Sequence, residues 1–113
     1  EKRYHAGLSS QVRGITAGGA GYPSPARTNI IDFVTIASTG DATDFGDTIA
    51  AMQYPLGAVA SPTRGVLGGG LSPSALNTIQ YVAIPTQGNA IDFGDLQHSK
   101  SEASGCSNAH GGL

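Results

Sequence analysis

Asp-Phe-Gly occurs twice in the chain, as Asp44-Phe45-Gly46 and as Asp92-Phe93-Gly94. In protein kinases that triplet positions magnesium on ATP. Phosphoryl transfer also needs a loop over the phosphates, a strand lysine and a catalytic-loop Asp and Asn, spread over a far longer chain. The triplet stands here without that context, and a motif without its context carries little weight. A structural role fits better. Phe45 and Phe93 would fill the space between packed sheets, Gly46 and Gly94 would permit a bulge, and the flanking carboxylates would cap local backbone N–H groups.

The same stretches offer a second chemistry. Asp41, Asp44 and Asp47 are spaced three apart, and Asn89, Asp92 and Asp95 repeat the spacing. Calcium takes clustered carboxylate and amide oxygens, so a cation site in each copy is conceivable. Residues three apart on an extended strand do not converge, however, because successive side chains alternate faces. Turn-capping carboxylates are the simpler reading. The glycine runs "AGGAG" and "GGG" are not followed by Gly-Lys-Ser/Thr, and Pro23, Pro25 and Pro73 oppose the helix that a phosphate loop opens onto. Close backbone approach explains them better.

Cys106 and His110 have ligand-like spacing, with His5 and His98 as conceivable partners. A zinc site or a Cys/His nucleophile needs more local ligands or an orienting third group. No cofactor is implied by any of these residues.

The elements that hold these groups are read from a repeat. "RGITAGG" (13–19) lies over "RGVLGGG" (64–70) at an offset of 51, and "NIIDFVTIASTGDATDFGD" (29–47) over "NTIQYVAIPTQGNAIDFGD" (77–95) at an offset of 48. The difference falls in one loop, where the first copy carries "GYPSPART". Two units result, about 13–62 and 64–111, within one domain at 1–113. "GLSSQVRG" (7–14), "AVASPTRG" (58–65) and "SGCSNAHG" (104–111) are three copies of one further segment, so a strand-like piece of a neighbouring repeat stands at each end. In this alignment Cys106 takes the place of Ser9 and Ala60, a small slot expected to be buried, and His110 takes the place of Arg13 and Arg64. Those arginines are expected to pair with an Asp of the same or the adjacent unit. The loop that breaks the repeat supplies the candidate ligand-binding residues, Tyr22 and Arg27, because insertions in repeats map to loops on binding faces.

Composition agrees with many short strands. The chain has 17 Gly in 113 residues, no Trp and 39% hydrophobic residues, enough for a core without a helix bundle. Six Lys and Arg against eight Asp and Glu give a net charge of −2, which excludes strong phosphate-backbone binding and so nucleic acid. No apolar run approaches the ~20 residues that span a bilayer, so no membrane insertion is expected. One cysteine excludes an internal disulfide. The chain opens on Glu1 without an apolar leader and reads as a processed or excised product.

Within each unit, "NIIDFVTIAS" sets Ile31 and Phe33 on one side and Ile30, Val34 and Ile36 on the other. Its counterpart sets Ile79 and Tyr81 against Val82 and Ile84. Apolar residues on both sides predict a strand covered on both faces. Four short antiparallel strands per unit, each sheet sandwiched between neighbours, is what a β-propeller blade demands; no helix is expected. A hydrophobic stretch ending in Gly-Gly, a loop, then "NTIQYVAI", a turn and an aromatic resembles the kelch type of blade, with Phe45 and Phe93 where kelch has Trp. The fuller string is similar to repeats in uncharacterised proteins of marine bacteriophages. That resemblance implies a virion-associated or extracellular host-interaction protein, with no known activity.

Two blades do not close a ring. A homo-oligomer is therefore expected, with three chains giving six blades and with Ile31, Phe33, Ile79 and Tyr81 on the outer faces. The alternatives are a fragment of one longer propeller, a β-prism or a fibre repeat. The leading functional expectation is a non-enzymatic structural or binding module with a protein or glycan ligand. The alternatives are a lectin-like glycan-binding propeller and a propeller-type hydrolase or lyase.

Overall fold

The structure is a computed structural model that describes residues 2–21, 23, 26–102 and 104–107. Ten strands are present among them and no helix: β1 (Lys2–Arg3), β2 (Ala6–Ser9), β3 (Arg13–Ala17), β4 (Ala20–Gly21), β5 (Thr28–Thr35), β6 (Thr43–Met52), β7 (Leu56–Ala60), β8 (Arg64–Gly68), β9 (Leu76–Ala83) and β10 (Ile91–Lys100). The chain is thus all-β. Eight strands form two four-stranded sheets, ordered β2-β3-β5-β6 and β7-β8-β9-β10, with every neighbouring pair antiparallel. Neither sheet closes on itself. β1 and β4 make a small separate ladder through Lys2–Gly21 and Arg3–Ala20.

The sheets are built from repeat-equivalent segments. β3 and β8 begin on Arg13 and Arg64, and β5 and β9 carry the alternating apolar runs. β6 and β10 both bulge after an Asp, where Gly46 and Gly94 adopt φ of 145° and 146°. The glycine runs end β3 and β8. Gly19 N–H donates to the Met52 carbonyl at 2.7 Å, and Gly70 N–H donates to the Lys100 carbonyl at 2.9 Å. Each of these bonds ties the end of a second strand to the end of its fourth. Both glycines sit at positive φ, and a Cβ on Gly19 would stand 2.7 Å from the Arg3 carbonyl oxygen. Only glycine tolerates that approach.

The two sheets pack face to face, with β2 against β7 and β8. The core is Ala6, Ile15, Ala17, Ile31 and Phe45 from the first sheet and Leu67, Val82 and Ile84 from the second, flanked by Leu8 and Phe33. This corrects the expectation that both sides of β5 and β9 are covered. β5 buries Ile31 and leaves Ile30 and Val34 exposed, with the exposed Ile36 just beyond it, whereas β9 buries the other side, Gln80 and Val82, with the buried Ile84 just beyond it. The reason is geometric: two sheets make one interface, so each has one covered face, and the repeat makes those faces opposite. The expected outer surface changes accordingly. Ile31 is fully buried and Phe33 packs on the core, while Ile79 and Tyr81 remain half-exposed on the far side of the second sheet.

Candidate functional site

The first strands of the repeat meet at one end of the sheet pair. Leu8–Gln11 at the end of β2, Ala58–Pro62 at the end of β7 and Gly105–Ser107 near the C-terminus line one pocket of about 370 Å³. These are the three copies of the segment recognised in the sequence. Ser10 Oγ accepts from the Val12 and Arg13 N–H groups at 3.3 and 3.2 Å. Ser61 Oγ accepts from the Thr63 and Arg64 N–H groups at 3.4 and 3.1 Å, the same turn one unit later. In the third copy Ser107 Oγ donates to the Ala60 carbonyl at 3.0 Å and lays the segment beside β7. Among the described residues no charged side chain lines the pocket, whose polar groups are hydroxyls, the Gln11 carboxamide, the Cys106 thiol and backbone amides.

Cys106 lies on this pocket and is exposed, not buried as its small-residue slot predicts. The slot faces an opening in all three copies, as the exposed Ser9 and half-exposed Ala60 also show. His110 lies outside the described residues. His5 and His98 are exposed on other parts of the chain.

The repeated acidic residues act mainly on backbone. Asp44 Oδ1 accepts from Gly46 N–H at 3.2 Å and Asp92 Oδ1 from Gly94 N–H at 3.1 Å, the capping role read from the triplets. Asn89 Oδ1 reaches across the sheets to accept from Asp47 N–H at 3.0 Å. Asp41 and Asp95 are exposed. Among the described residues, no three His, Cys, Asp or Glu side chains gather as a metal site would require.

Of the loop candidates, Tyr22 lies outside the described residues. Arg27 is exposed and forms a bridge with Ala20. Arg13 does not find the expected Asp. Its guanidinium lies 4.8 Å from the centre of the Phe33 ring, and Nη1 donates to the Ile84 carbonyl of the second sheet at 2.6 Å. Arg64 lies over Tyr81 at 4.6 Å in the same manner.

Gln80 was not foreseen as a functional residue. Its side chain is buried between the sheets, where Oε1 accepts from Ile49 N–H at 2.9 Å and Nε2 points at Met52 Sδ. Its repeat equivalent, Asp32, is bound by Lys2 at 2.7 Å. A polar residue at this one slot of both "NIIDFV" and "NTIQYV" was the available signal. A stacked pair, Tyr4 and Tyr54, with ring centres 4.5 Å apart, joins the N-terminal segment to the linker between the sheets, and Arg3 lies 5.2 Å from the Tyr4 ring. Desolvation, then the side-chain hydrogen bond with Tyr4, raises the Tyr54 pKa above the ordinary phenol value.

No protein-family model matches the chain, and no curated protein sequence matches it either.

Proposed function

We propose that the chain is a non-enzymatic structural or binding module made of two β-propeller blades, a virion-associated or host-interaction protein of the phage kind that its repeats resemble. The observation that carries the reading is the stacking of two repeat-equivalent four-stranded meanders, with β2, β7 and the segment equivalent to them near the C-terminus around one pocket. Blades stacked about an axis bring their first strands together in this way. Of the acidic residues that would serve a hydrolase or lyase, Asp44 and Asp92 cap turns and Asp41 and Asp95 stand in solvent. The test is a panel of chromogenic ester, phosphate and glycoside substrates, run on the chain and on a D41N/D44N/D47N variant. Equal background from both is expected. Turnover that scales with protein and falls in the variant replaces this reading with a hydrolase.

Glycan binding is a second reading, favoured by one observation. The Tyr4–Tyr54 pair beside Arg3 is an aromatic surface with Tyr4 half-exposed, and sugars stack on such faces. A glycan array probed with the chain and with Tyr4→Ala decides it. Retention that Tyr4→Ala abolishes supports the reading, and an empty array removes it.

A further inference from the structure

The contact between the two sheets is fastened by polar groups as well as by the core. Gly88 N–H donates to the Phe45 carbonyl at 2.9 Å and Ala90 N–H to the Asp47 carbonyl at 2.8 Å. Asn89 and Gln80 receive the Asp47 and Ile49 N–H groups, and Arg13 holds the Ile84 carbonyl. On the apolar side, Phe33 and Phe45 of the first sheet face Val82 and Ile84 of the second.

A shift of 48 residues (51 for the arginines) maps each of these groups onto the two outer faces. Phe93 and Tyr81 stand edge to face at 5.9 Å and 80°, as Phe45 and Phe33 do at 5.8 Å and 79°. Arg64 lies over Tyr81 as Arg13 lies over Phe33. Yet Phe45 is 4% exposed and Phe93 is 55% exposed. On the opposite side of the molecule, Ile36 is 56% exposed where its equivalent Ile84 is 1% exposed, and Val34 is 39% exposed where Val82 is 1% exposed. Gly46 is crowded, since a Cβ there would lie 2.5 Å from the Gly88 carbonyl oxygen, while a Cβ on Gly94 would meet nothing within 4 Å. One half of a formed interface is therefore bare at each end, with its rings and cation already in place.

We propose that a second copy of this chain seats the bare face of its first sheet on the bare face of the second sheet, repeating the internal contact. Arg64 then donates to the Ile36 carbonyl of that copy. The copy's Gly40 and Ala42 N–H groups donate to the Phe93 and Asp95 carbonyls, and its Asp41 and Asp32 carboxylates accept from the Asp95 and Gln97 N–H groups. The two faces differ, so the contact is head to tail and each copy presents one first-sheet face and one second-sheet face. The inference goes beyond the function proposed above: it needs only the observed stacking, and holds whether or not a ring closes and whatever the module binds.

Two substitutions separate the faces, Ile36→Asp on the first sheet and Phe93→Asp on the second. Both side chains are more than half exposed in the single chain, so the circular dichroism of each variant is expected to match that of the unchanged chain. Light scattering coupled to size exclusion is expected to give a multiple of 11.4 kDa for the unchanged chain and 11.4 kDa for each variant alone. An equimolar mixture of the variants is expected to give twice that mass, because I36D keeps the second-sheet face and F93D the first-sheet face. Arg64→Ala, which leaves both apolar faces intact, is expected to weaken association about tenfold or more, and reads the same contact if an Asp variant fails to fold. A monomeric unchanged chain, dissociation by only one of the two Asp variants, or a mixture that stays monomeric overturns the proposal.

Discussion

Phe45 and Phe93 occupy one position of the repeat and meet different surroundings, so substitution separates the residue from its environment. Phe45→Ala removes a ring from the core and leaves a cavity, which costs about 3–5 kcal/mol. Phe93→Ala, in chain dilute enough to be monomeric, removes an exposed ring and is expected to cost less than about 1 kcal/mol. Urea denaturation of the two variants measures both, and equal losses would mean that Phe93 is buried in solution. At Asp44 the side chain is an acceptor for one N–H. Asp44→Ala is expected to lose about 0.5–1.5 kcal/mol, while Asp44→Asn, which keeps an acceptor oxygen, stays near the unchanged chain. Added calcium tests the competing role. A ligand-induced rise in melting temperature that both variants abolish would assign the Asp to a cation, since a bound ion stabilises by mass action. This much was legible in the triplets, because capping depends on residues two apart. The surroundings of Cys106 were not, because the slot it shares with Ser9 and Ala60 shows a preference for small side chains without saying whether protein or an open pocket limits them.

The strands repeat that division between what local pattern fixes and what stacking fixes. The order of four antiparallel strands, the bulges at Gly46 and Gly94 and the absence of helix all follow from short apolar runs bounded by glycine and turn residues. Which side of β5 or β9 is buried does not, since both runs are apolar on both sides and the choice depends on which neighbour is present. Gln80 escaped notice for the same reason: its meaning comes from Ile49 N–H and Met52 on another sheet. A pair of equivalent substitutions makes the asymmetry measurable. Val82→Asp places a carboxylate among the apolar core side chains between the sheets, a cost of several kcal/mol against a total stability of about 5–15 kcal/mol. Val34→Asp places the same group on the open face. Circular dichroism is expected to show β-structure retained in the Val34 variant and largely lost in the Val82 variant at room temperature. Loss in both would mean that the first sheet is covered on both sides even in the single chain.

At the scale of the molecule, a head-to-tail contact has two geometrical fates: a rotation that returns to its start closes a ring, and one that does not builds an open stack. The propeller reading requires closure, whereas the fibre-repeat alternative requires continued growth. Closure leaves no bare face, so mass stops rising with concentration once the ring is complete. Three chains of 11.4 kDa, six blades, is the expected plateau. A ring also gains its final contact without losing another chain's translational freedom, so it forms over a narrower concentration range than an open stack of equal contacts. Melting temperature is expected to hold steady while the chain is monomeric and to rise with protein concentration once the ring forms, because assembly stabilises the folded chain by mass action. Sedimentation across a hundredfold dilution series reads the mass and the concentration range of assembly together. A single species that holds its mass over most of the series favours the ring, and its stoichiometry counts the blades. A mass that climbs continuously with concentration keeps the head-to-tail contact but assigns the chain to a fibre, in which the pocket shared by the three segment copies recurs along an axis instead of around one.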